Sequence, residues 1–205
     1  MEHASAEESM SEQHEGQSVP PAQQGIRERR VSAEALLSRF FRPSVRILFD
    51  WERCTREGWP VEIRIVEELA VVERWHLPWN ATPAGAATDF LDPTGRPRRL
   101  DTIPGTLDQL LPDQRENLDT LVATYRAFAR PSQPIQLVAV AYALPDGGAL
   151  LLDSCHRLCA LTLARVLFAL LTTVIHGPID NAVVPELRHW ETEPLPRRDW
   201  SIPRV

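Results

Sequence analysis

Five consecutive side chains, Asp153, Ser154, Cys155, His156 and Arg157, gather most of the chemistry this sequence offers in one place. An acid, a hydroxyl, a thiol, an imidazole and a guanidinium stand together in residues 149–161, ALLLDSCHRLCAL, with apolar residues on both sides. Arg157 and His156 can donate to phosphoryl oxygens, Asp153 can hold a metal ion or orient a hydroxyl, and Cys155 can act as a nucleophile. Catalytic and ligand-holding groups are thus concentrated at a single break in an apolar run.

The elements on either side of that break must position it. Residues 149–152 are too short and too apolar for anything but a buried strand, and the segment from Arg157 onward reads as a helix. Asp153 or Ser154 then occupies the helix N-cap. A strand that runs into a helix N-terminus presents unpaired backbone N–H groups and the positive end of the helix dipole, which together attract anions and phosphates above all. Upstream, Leu118, Leu121, Val122, Tyr125 and Phe128 recur at helical intervals and predict a helix within residues 107–128, with Pro112, Asp113 and Glu116 in its first turn. Residues 135–143 form a β-rich run, and Pro145-Asp146-Gly147-Gly148 is a turn that pairs it with residues 149–152 in a hairpin. Residues 168–175 return as a strand that closes at His176-Gly177-Pro178. The predicted order is helix, strand, turn, strand, phosphate-like turn, helix, strand.

The earlier part of the chain is less patterned. Residues 1–25, rich in Glu, Ser, Gln and Pro, have little to bury and read as a disordered acidic tail. Val31, Ala35 and Leu36 suggest a helix over residues 26–39, and Val45, Leu48, Phe49 and Cys54 a second helical stripe closed by Gly58 and Pro60. Val61, Ile63 and Ile65 alternate as a strand does before the pattern turns helix-like, so strand and helix both stay open there. Residues 77–105 are crowded with Pro and Gly and predict a long surface excursion with little regular structure, carrying a basic knot of Arg96, Arg98 and Arg99.

Composition narrows the function classes. The 205 residues suit one domain with a real core. The formal charge of −6 does not suit a surface that embraces nucleic acid. Every basic residue is Arg, so a Walker-type loop lysine and a Schiff-base lysine are both excluded. Three cysteines, Cys54, Cys155 and Cys159, lack metal-ligand spacing and follow no signal peptide, so a disulfide framework is not expected and a cytoplasmic location is. The apolar stretch 158–175 carries Arg165 near its middle and reads as a buried helix followed by a buried strand rather than a membrane span.

The predicted order, with those residues at the break, resembles the ParB/sulfiredoxin superfamily over roughly residues 100–178. Members read as an apolar strand, then Asp-Gly-x-His-Arg or Gly-Gly-Cys-His-Arg, then an Ala-containing helix. Asp153, His156 and Arg157 match the first form, and Cys155, His156 and Arg157 match the second. The usual glycine is replaced by Ser154, which calls for a more ordinary backbone conformation.

The resemblance implies an α/β (α+β) fold, a small mixed sheet with flanking helices, and three candidate activities. In the free serine kinases the turn holds nucleotide phosphates and an acid at the start of the preceding helix serves as base. Asp113 and Glu116 could play that part here, although Gln114 stands at the nearest register and cannot be a base. The implied function is binding of ATP or ADP with Mg²⁺ through Asp153, Ser154, His156 and Arg157, and transfer of phosphate to a small metabolite. In sulfiredoxins the cysteine attacks an activated sulfinyl phosphate, and Cys155 stands where that cysteine would be. A reading from another class is a nucleotide-sensing or protein-binding module that keeps the pocket without turnover. In the ParB partition proteins the turn serves a helix-turn-helix that reads DNA. Nothing after Pro178 resembles one, and DNA and membrane partners are not expected.

His76, His176 and His189 are scattered and show no zinc spacing, with His176 the one nearest in sequence to a strand beside the turn. Asp180 and Asn181 follow it toward the same end of the sheet, and Trp190 and Trp200 suggest a C-terminal arm packed across the domain or onto a partner. The expected organisation is an acidic tail (1–25), a helical extension and Pro-rich loop (26–99), the ParB/sulfiredoxin-like domain (100–180) and the arm (181–205).

Overall fold

A computed structural model describes the backbone of residues 26–32 and the full structure of residues 48–191. The strands are β1 (Ile26–Ser32), β2 (Pro60–Val66), β3 (His76–Ala81), β4 (Ala87–Thr88), β5 (Arg96–Arg99), β6 (Ile135–Ala143), β7 (Ala149–Leu151) and β8 (Phe168–Ile175). The α-helices are α1 (Trp51–Glu57), α2 (Leu69–Val72), α3 (Pro112–Phe128) and α4 (Cys155–Ala164). The eight strands join in one mixed sheet ordered β1-β2-β8-β6-β7-β3-β4, with β5 also paired to β3. β6 and β8 are parallel and central, β7 returns antiparallel to β6, and β3 lies parallel to β7. The chain is mixed α/β.

Central position explains the composition of β6 and β8. Over residues 139–142 and 172–175 both faces are covered and the strands have no solvent side, whereas Gln136, Val138 and Leu171 in their first halves stay exposed. On one face Leu137, Ala139, Ala141, Leu151 and Leu170 pack against Leu118 of α3 and against Leu158, Cys159 and Leu161 of α4. On the other, Val140, Tyr142, Leu150, Leu152 and Ile175 meet Phe49, Cys54 and Trp59 from the α1 region and Val183, Val184 and Leu187 near the C-terminus. The apolar stretch 158–175 is accounted for by most of α4 followed by β8, and no helix among the described residues is long and apolar enough to cross a membrane.

Three expectations need correction. Residues 26–32 form a strand, not the start of a helix, because Ile26 to Ser32 find β2 as an antiparallel partner over seven residue pairs. The remainder of that predicted helix, and the predicted tail 1–25, lie outside the described residues. Residues 60–66 take the strand alternative for the same reason, pairing with both β1 and β8. The Pro- and Gly-rich stretch 77–105 is not an irregular excursion. Pro78 stands at a register shift within β3, Pro97 on the edge strand β5 and the rest in turns, and the stretch supplies β3, β4, β5 and a 3₁₀ turn at Leu100–Gly105. The sheet therefore runs through residue 99 without a boundary, and residues 26–99 contribute strands to it rather than a helical extension.

Within the basic knot only Arg98 is buried, and it is a strut. Its Nη2 donates to Gly85 O at 2.6 Å and to Gln109 O at 3.3 Å, while Arg99 pairs with Asp101 at 2.5 Å. The C-terminal arm packs as expected as far as Trp190, which lies against the second core. Trp200 falls outside the described residues.

Gly177, just after β8, is a position where a side chain has no room. A Cβ there would lie 2.2 Å from Tyr142 Oη and 2.6 Å from the Trp59 ring. Tyr142 is held by its hydroxyl, which donates to Pro178 O at 2.8 Å, so it cannot swing away without losing that bond. Gly177→Ala should destabilise the fold by about 2 kcal/mol or more through overpacking, read as a fall in the urea midpoint. An unchanged midpoint would mean that this core yields easily.

Candidate functional site

The break after β7 is a turn built on an unusual serine. Ser154 has φ 66° and ψ 17°, the left-handed region, so the expectation of an ordinary backbone here is overturned. For a residue with a Cβ that conformation costs about 1–2 kcal/mol. Two hydrogen bonds oppose the cost: Ser154 Oγ donates to Val138 O at 2.7 Å and accepts from Arg157 Nη2 at 2.7 Å. Ser154 stands at the N-cap position as expected, yet its side chain does not cap the helix. The first α4 amide with a backbone acceptor in the turn is Leu158, which donates to Ser154 O at 2.9 Å. The N–H groups of Cys155, His156 and Arg157 therefore belong to the first helical turn, which has no intrahelical acceptor.

Arg157 is held through one guanidinium nitrogen, Nη2, and is otherwise open to solvent. Its guanidinium touches Ser154 Oγ and lies 3.5 Å from Asp153 Oδ2, while about half of the side chain (48%) stays exposed. Asp153 in turn is anchored through its N–H, which donates to Val140 O at 3.3 Å. His156 is pressed against Trp79 with ring centroids 4.7 Å apart, and its Nε2 is buried without a hydrogen-bond partner. Burial holds the imidazole below its ordinary range, and the Asp113 carboxylate opposes that effect from the start of α3.

That Asp113 acts on His156 follows from how the two helices pack. At their other ends Arg126 of α3 donates to Leu163 O of α4 at 3.3 Å. The two helices run in the same sense, and Asp113 in the first turn of α3 lies within electrostatic reach of His156 in the first turn of α4. Glu116 is exposed and is not among the charges that act on His156. Gln114 is occupied, its Oε1 accepting from Leu111 N at 3.2 Å.

Cys155 is buried, and its thiol is pushed up to about 12 by burial first and by Asp153 second. Helix N-termini normally favour a thiolate; at Cys155 desolvation opposes that effect and favours the neutral thiol. Cys159, one turn on, is fully buried in the core.

Asn80 at the end of β3 and Glu186 in the 3₁₀ turn Pro185–His189 join the site from the other side. Both are more than nine-tenths buried, Glu186 acts electrostatically on Cys155, and Asn80 lies against Glu186. Burial raises Glu186 to about 7. Sequence reasoning missed Trp79, Asn80 and Glu186, because the first two lie in the Pro-rich stretch and the third in a short segment outside the recognisable pattern. The apolar run Val183-Val184-Pro185 beside Glu186 was the available signal.

The other candidates are elsewhere. His176 pairs with Glu62 at 2.8 Å, Asp180 with Arg53, and Asn181 with Glu191, all as structural contacts. His76 and His189 are held below their ordinary range by burial, His189 to about 4. Among the described residues no three His, Cys, Asp or Glu side chains converge as a metal-ligand set. Asp153 is the one carboxylate at the turn, so the donor set fits a metal ion that arrives with phosphates, not one resident on the protein.

Two stability measurements test this geometry. Ser154→Ala keeps the left-handed strain and loses both hydrogen bonds, for a cost of about 1–3 kcal/mol, whereas Ser154→Gly loses the same bonds without the strain and should be about 1 kcal/mol less damaging. Urea midpoints that rank Ala at or above Gly would contradict the left-handed turn. Glu186, with its native pKa raised, contributes stability that is present below the usual carboxylate range and lost as pH rises through about 7. Glu186→Gln should therefore gain on the wild type between pH 5 and pH 8, and a difference in urea midpoint that stays constant over that interval would show that Glu186 does not titrate as described.

No family model matches the chain, and comparison with curated proteins and with solved structures likewise returns no match.

Proposed function

We propose that residues 153–157 form a phosphate-binding turn of ParB/sulfiredoxin type. There the protein binds ATP or ADP with Mg²⁺ and passes a phosphoryl group to a hydroxyl of a small metabolite. The observation that carries this reading is the left-handed Ser154 at the start of α4, bonded to a half-exposed Arg157 in the first helical turn. An anion at that point meets the first-turn amides, the positive end of the α4 dipole and the guanidinium together.

In this mechanism Arg157 and the first-turn amides of α4 neutralise the phosphoryl oxygens as the bond to the leaving phosphate breaks. His156, neutral and fixed against Trp79, donates a hydrogen bond rather than a charge. Asp113 accepts the proton of the attacking hydroxyl as the new P–O bond forms. Mg²⁺ supplies charge neutralisation when it is bound with the phosphates, with Asp153 the carboxylate able to reach it. Catalysis then rests on positioning and charge. A thiol-dependent reaction at Cys155 is disfavoured, since a thiol raised to about 12 is almost wholly protonated at neutral pH.

Calorimetric titration of MgATP and MgADP into the wild type, Arg157→Ala and Asp113→Asn, followed by assay of nucleotide products with L-serine as first acceptor, tests the reading. Arg157→Ala should weaken nucleotide binding by about tenfold or more. Asp113→Asn should leave binding within about twofold and lower transfer by about a hundredfold. Binding without product in the wild type would favour a sensing module, and absence of binding would overturn the site.

A further inference from the structure

At the other end of β7 lies a second cavity, independent of the turn. The four residues 149–152 separate Gly148 from Asp153 by roughly 13 Å or more of extended chain. This cleft, of about 480 Å³, opens between the segment that leads from β2 into β3 and the Asp146-Gly147-Gly148 turn of the hairpin. That volume lies within the range of small-molecule sites.

What such a cleft would recognise follows from which of its charges are already answered. Two of its arginines carry their own carboxylates: Arg64 bonds Glu62 at 2.8 Å and Arg99 bonds Asp101 at 2.5 Å. Arg74 pairs with no carboxylate among the described residues. Glu68 and Asp146 pair with no cation among them, although Asp146 Oδ1 accepts from Gly148 N at 2.9 Å. His76 lines the same cleft, its Nδ1 buried without a partner and its ring held edge-on by Trp190 at 4.9 Å. Among the described residues the cleft charges without an ion-pair partner are therefore one cation and two anions, with His76, held below its ordinary range by burial, within electrostatic reach of Asp146. Between them Val71 and Trp75 offer an apolar wall.

We infer that this cleft binds a small basic α-amino acid, of the lysine, ornithine or arginine class. Its carboxylate meets Arg74, its two cationic nitrogens meet Glu68 and Asp146, and its methylene stem lies along Val71 and Trp75, as long cationic side chains lie along apolar surface. An inorganic anion would answer Arg74 alone and leave two carboxylates facing it. A simple dicarboxylate would be repelled by them.

The test is calorimetric titration of L-lysine and L-arginine into the full chain, with succinate, inorganic phosphate and n-butylamine as comparison ligands. Arg74 and Asp146 are both exposed, and neither Arg74→Ala nor Asp146→Asn removes a core contact. One or both amino acids should bind the wild type, and bind about tenfold more weakly to either variant. Butylamine should bind more weakly than lysine and be indifferent to Arg74→Ala. Absence of amino-acid binding, or binding that neither variant weakens, overturns the assignment. Phosphate or succinate binding that Arg74→Ala abolishes overturns it in favour of an anion site.

Discussion

Ser154 holds a backbone conformation that glycine adopts freely and serine does not, and two hydrogen bonds to its hydroxyl keep it there. One bond ties the turn down to β6 through Val138, and the other ties it forward to Arg157 on α4. The left-handed residue is what lets the chain leave β7 and enter α4 across three residues, and so it sets where the helix N-terminus points. The cost of the conformation, about 1–2 kcal/mol, is of the same size as the hydrogen bonds that oppose it. The turn is therefore held by neighbours on two elements rather than by its own propensity.

The same arrangement decides which of the clustered side chains can act. Arg157, held at Nη2 by Ser154 and Asp153, keeps about half of its side chain in solvent. His156 is held neutral by burial against Trp79. Cys155, although at a helix N-terminus, faces inward, where the loss of water opposes the dipole and favours the neutral thiol. Adjacent residues at one break thus have three different environments, because successive positions on a helix point about 100° apart.

Much of the second half of the chain was legible. The apolar runs of β6 and β8, the turn residues between β6 and β7, and the periodicity of α3 each carry a local signal strong enough to survive packing. The first half was less so. Val31, Ala35 and Leu36 are spaced for a helix, but residues 26–32 pair with β2 along their whole length, a contact that spacing within the segment cannot reveal. Prolines in residues 77–105 read as irregular chain, yet they sit at a register shift, on an edge strand and in turns, where a missing N–H does no harm to a sheet. Arg98, one of three neighbouring arginines, became a buried strut solely because its strand turned it inward.

By itself the sequence determined which residues stand at the break after β7, that every fixed positive charge is an arginine, and that an apolar strand is followed at once by a helix. Those are local facts, set by residue type and by spacing within a dozen positions. The tertiary structure decided that α3 lies parallel to α4 and brings Asp113 rather than Glu116 to His156, that Asn80 and Glu186 close in from distant segments, and that Ser154 is left-handed. Each of these depends on contacts between residues far apart in the chain, whose energies appear only when the sheet has assembled and water has been excluded from between its layers.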